Sequence, residues 1–128
     1  MYKDKENIVK VKVIGVGGGG NNAAMRIIND GVQNIETYLL NTETGTLRRA
    51  NTRNVLQIGK QTTNGLGAGA NEIIGEKAAL ESREQIRKIL ENTDMLFLTA
   101  GMGGGTGTGA IPVIAELAKE MNILTVGI

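Results

Sequence analysis

Asp94-Met95-Leu96-Phe97-Leu98-Thr99-Ala100 runs straight into Gly101-Met102-Gly103-Gly104-Gly105-Thr106-Gly107-Thr108-Gly109. The first seven residues are almost continuously apolar, as expected of a strand in the buried middle of a parallel sheet. The glycines that follow are costly inside helices and strands, where glycine loses the most backbone entropy. A glycine cluster placed after a strand therefore marks a loop whose backbone must approach something closely. Beyond it, Val113, Ile114, Leu117, Ala118 and Met121 recur at helical spacing, so the loop opens a helix running through Met121. Pro112 is expected in that helix's first turn, where a missing N–H costs nothing.

The same strand–glycine–helix pattern appears twice more on the N-terminal side. Residues 8–14 are mostly β-branched, broken by Lys10 and Lys12, and read as a strand. Gly15, Gly17, Gly18, Gly19 and Gly20 follow, then Asn21-Asn22 and a helical stretch to Asp30, with either Asn as cap and Gly31 as the stop. Residues 36–41 form a second strand, 42–50 a short helix capped by Thr42 or Thr44, and 54–58 a third strand. A further glycine window, Gly65-Leu66-Gly67-Ala68-Gly69-Ala70, opens one long helix over 73–91. Residues 123–128 begin a fifth strand. Strands alternating with helices specify a parallel sheet with helices on both faces. All three glycine windows then fall at the C-terminal ends of strands, where such folds bind ligands.

Composition narrows the chemistry. The 128 residues include 19 glycines, roughly twice the ordinary share of about 7%. A single proline and no Gly-X-Y period exclude collagen and Pro/Gly-rich disorder. There is no Cys and no His, hence no disulfide, no thiolate nucleophile, no Ser-His-Asp triad and none of the usual catalytic zinc sites. A net charge of +1, with Tyr2, Tyr38 and Phe97 as the aromatic side chains, offers nucleic acid neither a field nor a stacking platform. No apolar run is long enough for a transmembrane helix, and residues 1–12 are too charged for a signal core. The expectation is a domain in a reducing compartment, without nucleic acid and without direct membrane insertion. Met25, Met95, Met102 and Met121 read as core filler, Arg48, Arg49 and Arg53 as solvated charge, and Asp94 as a strand-start residue.

Glycine loops ending on helix N-termini present backbone N–H groups and the positive end of a helix dipole, an arrangement suited to phosphate. Three converging ends supply roughly +1.5 charge. The windows contain no Lys or Arg, so a triphosphate would need Mg²⁺ to share its charge. Gly15-Val16-Gly17-Gly18-Gly19-Gly20 satisfies the dinucleotide pattern G-x-G-x-x-G, a weak signal alone, with Glu43 as the acidic residue after the second strand. The P-loop pattern is absent, because Gly59-Lys60 is followed by Gln61.

The segment Gly103-Gly104-Gly105-Thr106-Gly107-Thr108-Gly109 is far rarer, and on it the chain resembles the tubulin/FtsZ family of GTPases. The first window with Asn21-Asn22-Ala23, the second with Asn71, and Thr99-Ala100-Gly101-Met102 support the resemblance, which extends from about Ile8 onward. It implies a Rossmann-like α/β fold binding GTP or GDP with Mg²⁺. By position, it implies nucleotide contacts from Gly17, Gly18, Gly19, Gly20, Asn21 and Asn22, from Asn41 and Glu43, from Ala68, Gly69 and Ala70, and from Gly101, Gly103, Gly104, Gly105, Thr106, Gly107, Thr108 and Gly109. The chain departs from the family at Met25, Glu43, Asn64 and Glu72, where Asn, Asp, Arg and Pro are usual.

The resemblance also implies a head-to-tail homopolymer acting with other cell-division proteins at the mid-cell division site in the cytoplasm. Carboxylates from the neighbouring subunit would set the attacking water. Residues 1–7 are expected as an N-terminal extension and 8–128 as the front part of the GTP-binding domain, with the phosphate cradle but without the catalytic acidic loop. Alone, such a chain is expected to hydrolyse GTP weakly or not at all. Two other readings share the loops: a nicotinamide or flavin oxidoreductase, and a non-hydrolysing module that caps filaments.

Overall fold

Five parallel strands appear in the computed structural model, which describes residues 9–101 and 104–128. They are β1 (Val11–Val16), β2 (Ile35–Asn41), β3 (Val55–Gln57), β4 (Met95–Ala100) and β5 (Leu124–Gly127), in the order β3-β2-β1-β4-β5. The proposed extension 1–7, Ile8, Met102 and Gly103 lie outside the described residues. β1 is central, with Val11 opposite both Ile35 of β2 and Met95 of β4. The chain moves outward from β1 in one direction through β2 and β3, then crosses back to β4 and β5. That reversal leaves a crevice at the C-terminal ends of β1 and β4.

Alternation along the strands divides the core into two. Ile14, Val16, Leu40, Leu96 and Leu98 pack against α4 (Glu72–Glu81), α5 (Arg83–Leu90) and α6 (Gly105–Glu120) through Ala78, Ala79, Ile86, Leu90, Ile114 and Leu117. Leu39 on the opposite face packs with Ala24 of α1 (Gly17–Asn29) and Leu47 of α2 (Thr44–Arg48). Met25 and Met121 fill gaps beside these cores. Arg48, Arg49 and Arg53 are exposed, and Asp94 anchors the start of β4 by accepting from the Lys10 N–H at 2.8 Å.

Several expected boundaries move, each for a local reason. β1 reaches Val16 and absorbs Gly15, because α1 lies directly on the strand: a Cβ on Gly15 would run into the Gly20 carbonyl. α1 starts at Gly17, where φ of +74° turns the chain, so Asn21 and Asn22 sit inside the helix rather than capping it. Gly31, at φ +66°, follows the end of α1 as expected. The N-cap of α2 is Glu43, and neither Thr42 nor Thr44 caps it. α6 begins within the third glycine window, which places Pro112 at its eighth residue rather than in the first turn. There Pro112 leaves the Thr108 carbonyl without its helical donor.

The long helix expected over 73–91 divides at Ser82. A short helix unmarked in the sequence reading, α3 (Lys60–Thr63), is the cause. Ser82 Oγ accepts from the Gly59 N–H at 2.9 Å, and the Glu81 carboxylate accepts from the N–H groups of Gln61 (3.0 Å) and Thr62 (2.9 Å). Lys12, one of the two lysines that break the β-branched run, lies in β1 itself. It is buried in the central strand, and its Nζ donates to the carbonyls of Ile89 (2.7 Å) and Glu91 (2.8 Å), closing the C-terminus of α5.

Candidate functional site

The crevice is a cleft of about 390 Å³. Its walls are the start of α1 (Gly17, Gly18, Gly19), the end of β2 and its exit (Asn41, Thr42, Glu43), the second glycine window (Leu66, Gly67, Ala68, Gly69) and the start of α6 with its approach (Gly101, Gly104, Gly105, Thr106, Gly107). Among these, Glu43 alone is ionisable. The amides at the first turns of α1 and α6 have no partner one turn back within their own helices. Two positive helix ends therefore face the cleft.

The third end, expected to join them, does not. The N-terminus of α4 is closed by Asn71, whose Oδ1 accepts from the Ile73 N–H (3.0 Å) and the Ile74 N–H (3.4 Å). Glu72 adds a negative charge in the same turn. The dipole contribution to the cleft is thus about +1 rather than +1.5. The second window contributes instead through its backbone: the Gly69 carbonyl accepts from the Gly105 N–H at 3.0 Å. That contact ties two walls together.

Beneath the cleft lies a buried amide brace. Asn21 Nδ2 donates to the carbonyls of Gly15 (2.9 Å) and Leu40 (3.1 Å). Asn41 Nδ2 donates to Asn21 Oδ1 at 2.8 Å, while Asn41 Oδ1 accepts from the N–H groups of Thr42 (2.8 Å) and Glu43 (3.2 Å). These bonds fix the exit of β2 relative to α1. The amide orientations follow from the partners, since only this assignment satisfies both side chains.

The expected site residues divide by position. Gly17, Gly18, Gly19, Asn41, Glu43, Ala68, Gly69, Gly101, Gly104, Gly105, Thr106 and Gly107 line one cleft. Gly20 and Asn21 are buried behind it, and Gly109 is buried further along α6, where it packs against α4. A Cβ on Gly20 would lie 2.5 Å from the Thr99 carbonyl, and one on Gly109 would meet the Glu72 carbonyl, so both glycines serve close packing. Asn22, Ala70 and Thr108 are exposed outside the cleft lining, Thr108 beside a separate groove with Ile73 and Pro112. Gly103 is outside the described residues. The sequence reading missed Val16, Thr42, Thr46, Leu66 and Gly67 as lining residues. Leu66 carried a signal, an apolar residue isolated between glycines; it is 84% exposed at the cleft mouth.

Among the described residues, no cluster of three or more acidic groups could hold a metal ion. A divalent cation here would need most of its oxygens from a ligand, with Glu43 the one carboxylate at hand. No described helix is long and apolar enough to cross a membrane.

Fold and cleft together define a doubly wound α/β domain with a cleft walled by glycine backbone at two helix N-termini. The chain belongs to the Tubulin/FtsZ family, GTPase domain, whose sequence pattern matches residues 10–128. It is 55% identical over 122 residues to the cell division protein FtsZ of Aquifex aeolicus (strain VF5), covering 95% of this chain and 33% of that protein. An empty FtsZ dimer structure from M. jannaschii superposes with a TM-score of 0.92 at 43% identity, over 98% of this chain and 37% of that one. CetZ2 from Haloferax volcanii shares the fold at 23% identity, with a TM-score of 0.80 over 93% of this chain and 39% of that one. The chain thus spans about a third of the length of the relatives it matches.

Proposed function

We propose that the cleft binds GTP and GDP, and that the domain works as part of a GTP-hydrolysing, self-assembling protein of cell division. The observation that carries this is a cleft walled by the first turns of α1 and α6, with no basic side chain among its described lining residues. Backbone amides and helix dipoles are suited to phosphate oxygens, and glycine lets them approach closely. The β- and γ-phosphates would lie against Gly104, Gly105, Thr106 and Gly107, with Gly17, Gly18 and Gly19 opposite. Asn41 and Glu43 would face the nucleoside side, and Ala68 and Gly69 the terminal phosphate. Gly20 and Asn21 would act from behind, and Gly109 from further along α6, by holding the walls in place.

The residues present would position phosphate and stabilise its charge, with Glu43, the one carboxylate in the described lining, on the nucleoside side. Mg²⁺ would be held mainly by the nucleotide. The carboxylates that complete hydrolysis would come from an adjacent copy, giving head-to-tail assembly with other division proteins at mid-cell in the cytoplasm. Binding of fluorescently labelled GDP, challenged with unlabelled GTP, ATP and NAD, tests the reading. GTP and GDP should displace the label and raise Tm; displacement by NAD alone would overturn it in favour of a dinucleotide enzyme.

A further inference from the structure

We infer that Thr42 is a positioning residue that points the Thr106 hydroxyl proton into the cleft, toward an acceptor-only ligand group such as a phosphate oxygen. This rests on the nucleotide reading above and adds a residue to it. Thr42 Oγ1 and Thr106 Oγ1 lie 2.8 Å apart and both are buried, joining the exit of β2 to the first turn of α6. Distance alone leaves the donor open. Burial decides it.

A hydroxyl has one proton to give and two lone pairs to accept with. Thr42 is 0% exposed, and among the described residues its hydroxyl meets one hydrogen-bonding partner, Thr106 Oγ1. If Thr106 donated, the Thr42 proton would be left buried without an acceptor, which is costly. Both residues border the cleft, but Thr42 has no accessible surface and Thr106 keeps 6%; if Thr42 donates, its proton is satisfied and the Thr106 proton is left on the residue that still has an opening to the cleft. The inward direction, Thr42 to Thr106 to ligand, is therefore the one without an orphan. A chain of two hydroxyls also polarises its terminal O–H, and a charged acceptor strengthens that bond further. Thr42 itself is held in place by the Asn41 side chain, which accepts from its N–H.

The test is a double-mutant cycle on labelled-GDP affinity in the longest natural form of the protein, with each variant's fold checked by circular dichroism. Thr42→Val keeps the shape and removes the donor; it should weaken GDP by about two- to tenfold. Thr42→Ser should restore wild-type affinity. Thr106→Val should weaken GDP at least as much, and Thr42→Val added to it should cost nothing more, because Thr42 acts only through Thr106. Additive losses would overturn the role, as would a Thr42→Ser variant as weak as Thr42→Val. Wild-type binding with Thr42→Val unchanged removes Thr42 alone. A wild-type protein that binds neither GDP nor GTP removes the nucleotide reading and this role with it.

Discussion

Gly18 and Gly20 stand two residues apart in α1, yet their missing side chains serve opposite purposes. A Cβ on Gly18 would meet nothing within 4 Å, whereas one on Gly20 would lie 2.5 Å from the Thr99 carbonyl. Gly18→Ala should leave Tm unchanged or raise it slightly, since alanine favours a helix by about 1 kcal/mol over glycine, while labelled-GDP binding weakens. Gly20→Ala should lower Tm by several degrees, because backbone has to move to admit the methyl. Thermal melts and binding measured on the same preparations separate the two. Composition shows that the glycines matter but not which way each one faces. For the same reason the sequence drew attention to Asn21 without showing its place: its polar atoms are spent on Gly15, Leu40 and Asn41 beneath the cleft.

The elements show where periodicity is informative and where it stops. β4 and α6 were readable because a run of apolar residues and a helical stripe each dominate their windows. The break at Ser82 was not, because it depends on Gly59, Gln61 and Thr62, about twenty residues earlier in the chain. Glu81 carries a testable consequence. The Gln61 N–H first, then the Thr62 hydroxyl, hold its carboxyl below the usual value of 4.5. Its folded pKa is therefore lower than its unfolded one. The carboxylate adds stability above pH about 4.5, and that contribution is lost as pH falls through the depressed folded value. Urea midpoints measured from pH 6 to pH 3 should fall more gently for Glu81→Gln than for the wild type. At the other end of the same helical pair, Lys12→Met should cost about 1–3 kcal/mol, by stranding the carbonyls of Ile89 and Glu91. Lys12 Nζ also lies 3.8 Å from the exposed Glu36 carboxylate, a pair worth little, so added salt should reduce that loss only slightly.

For the whole molecule, α/β alternation anticipated a parallel sheet with helices on both faces, and the structure has both. The order β3-β2-β1-β4-β5 was not written in any local pattern; it follows from long-range pairing at β1. That order makes β3 and β5 the outermost of the described strands.

The sequence separations at the central strand predict an order of events during folding. β1 meets β2 about two dozen residues away, but its pairing with β4 joins residues 84 apart, Val11 and Met95. Closing so long a loop is slow relative to local contacts. The cleft lies across that seam, so its two walls do not face each other until the last strand pairing around β1 is made. A ligand of the cleft is therefore expected to slow unfolding and to leave the refolding rate unchanged, which stopped-flow traces with and without it would check.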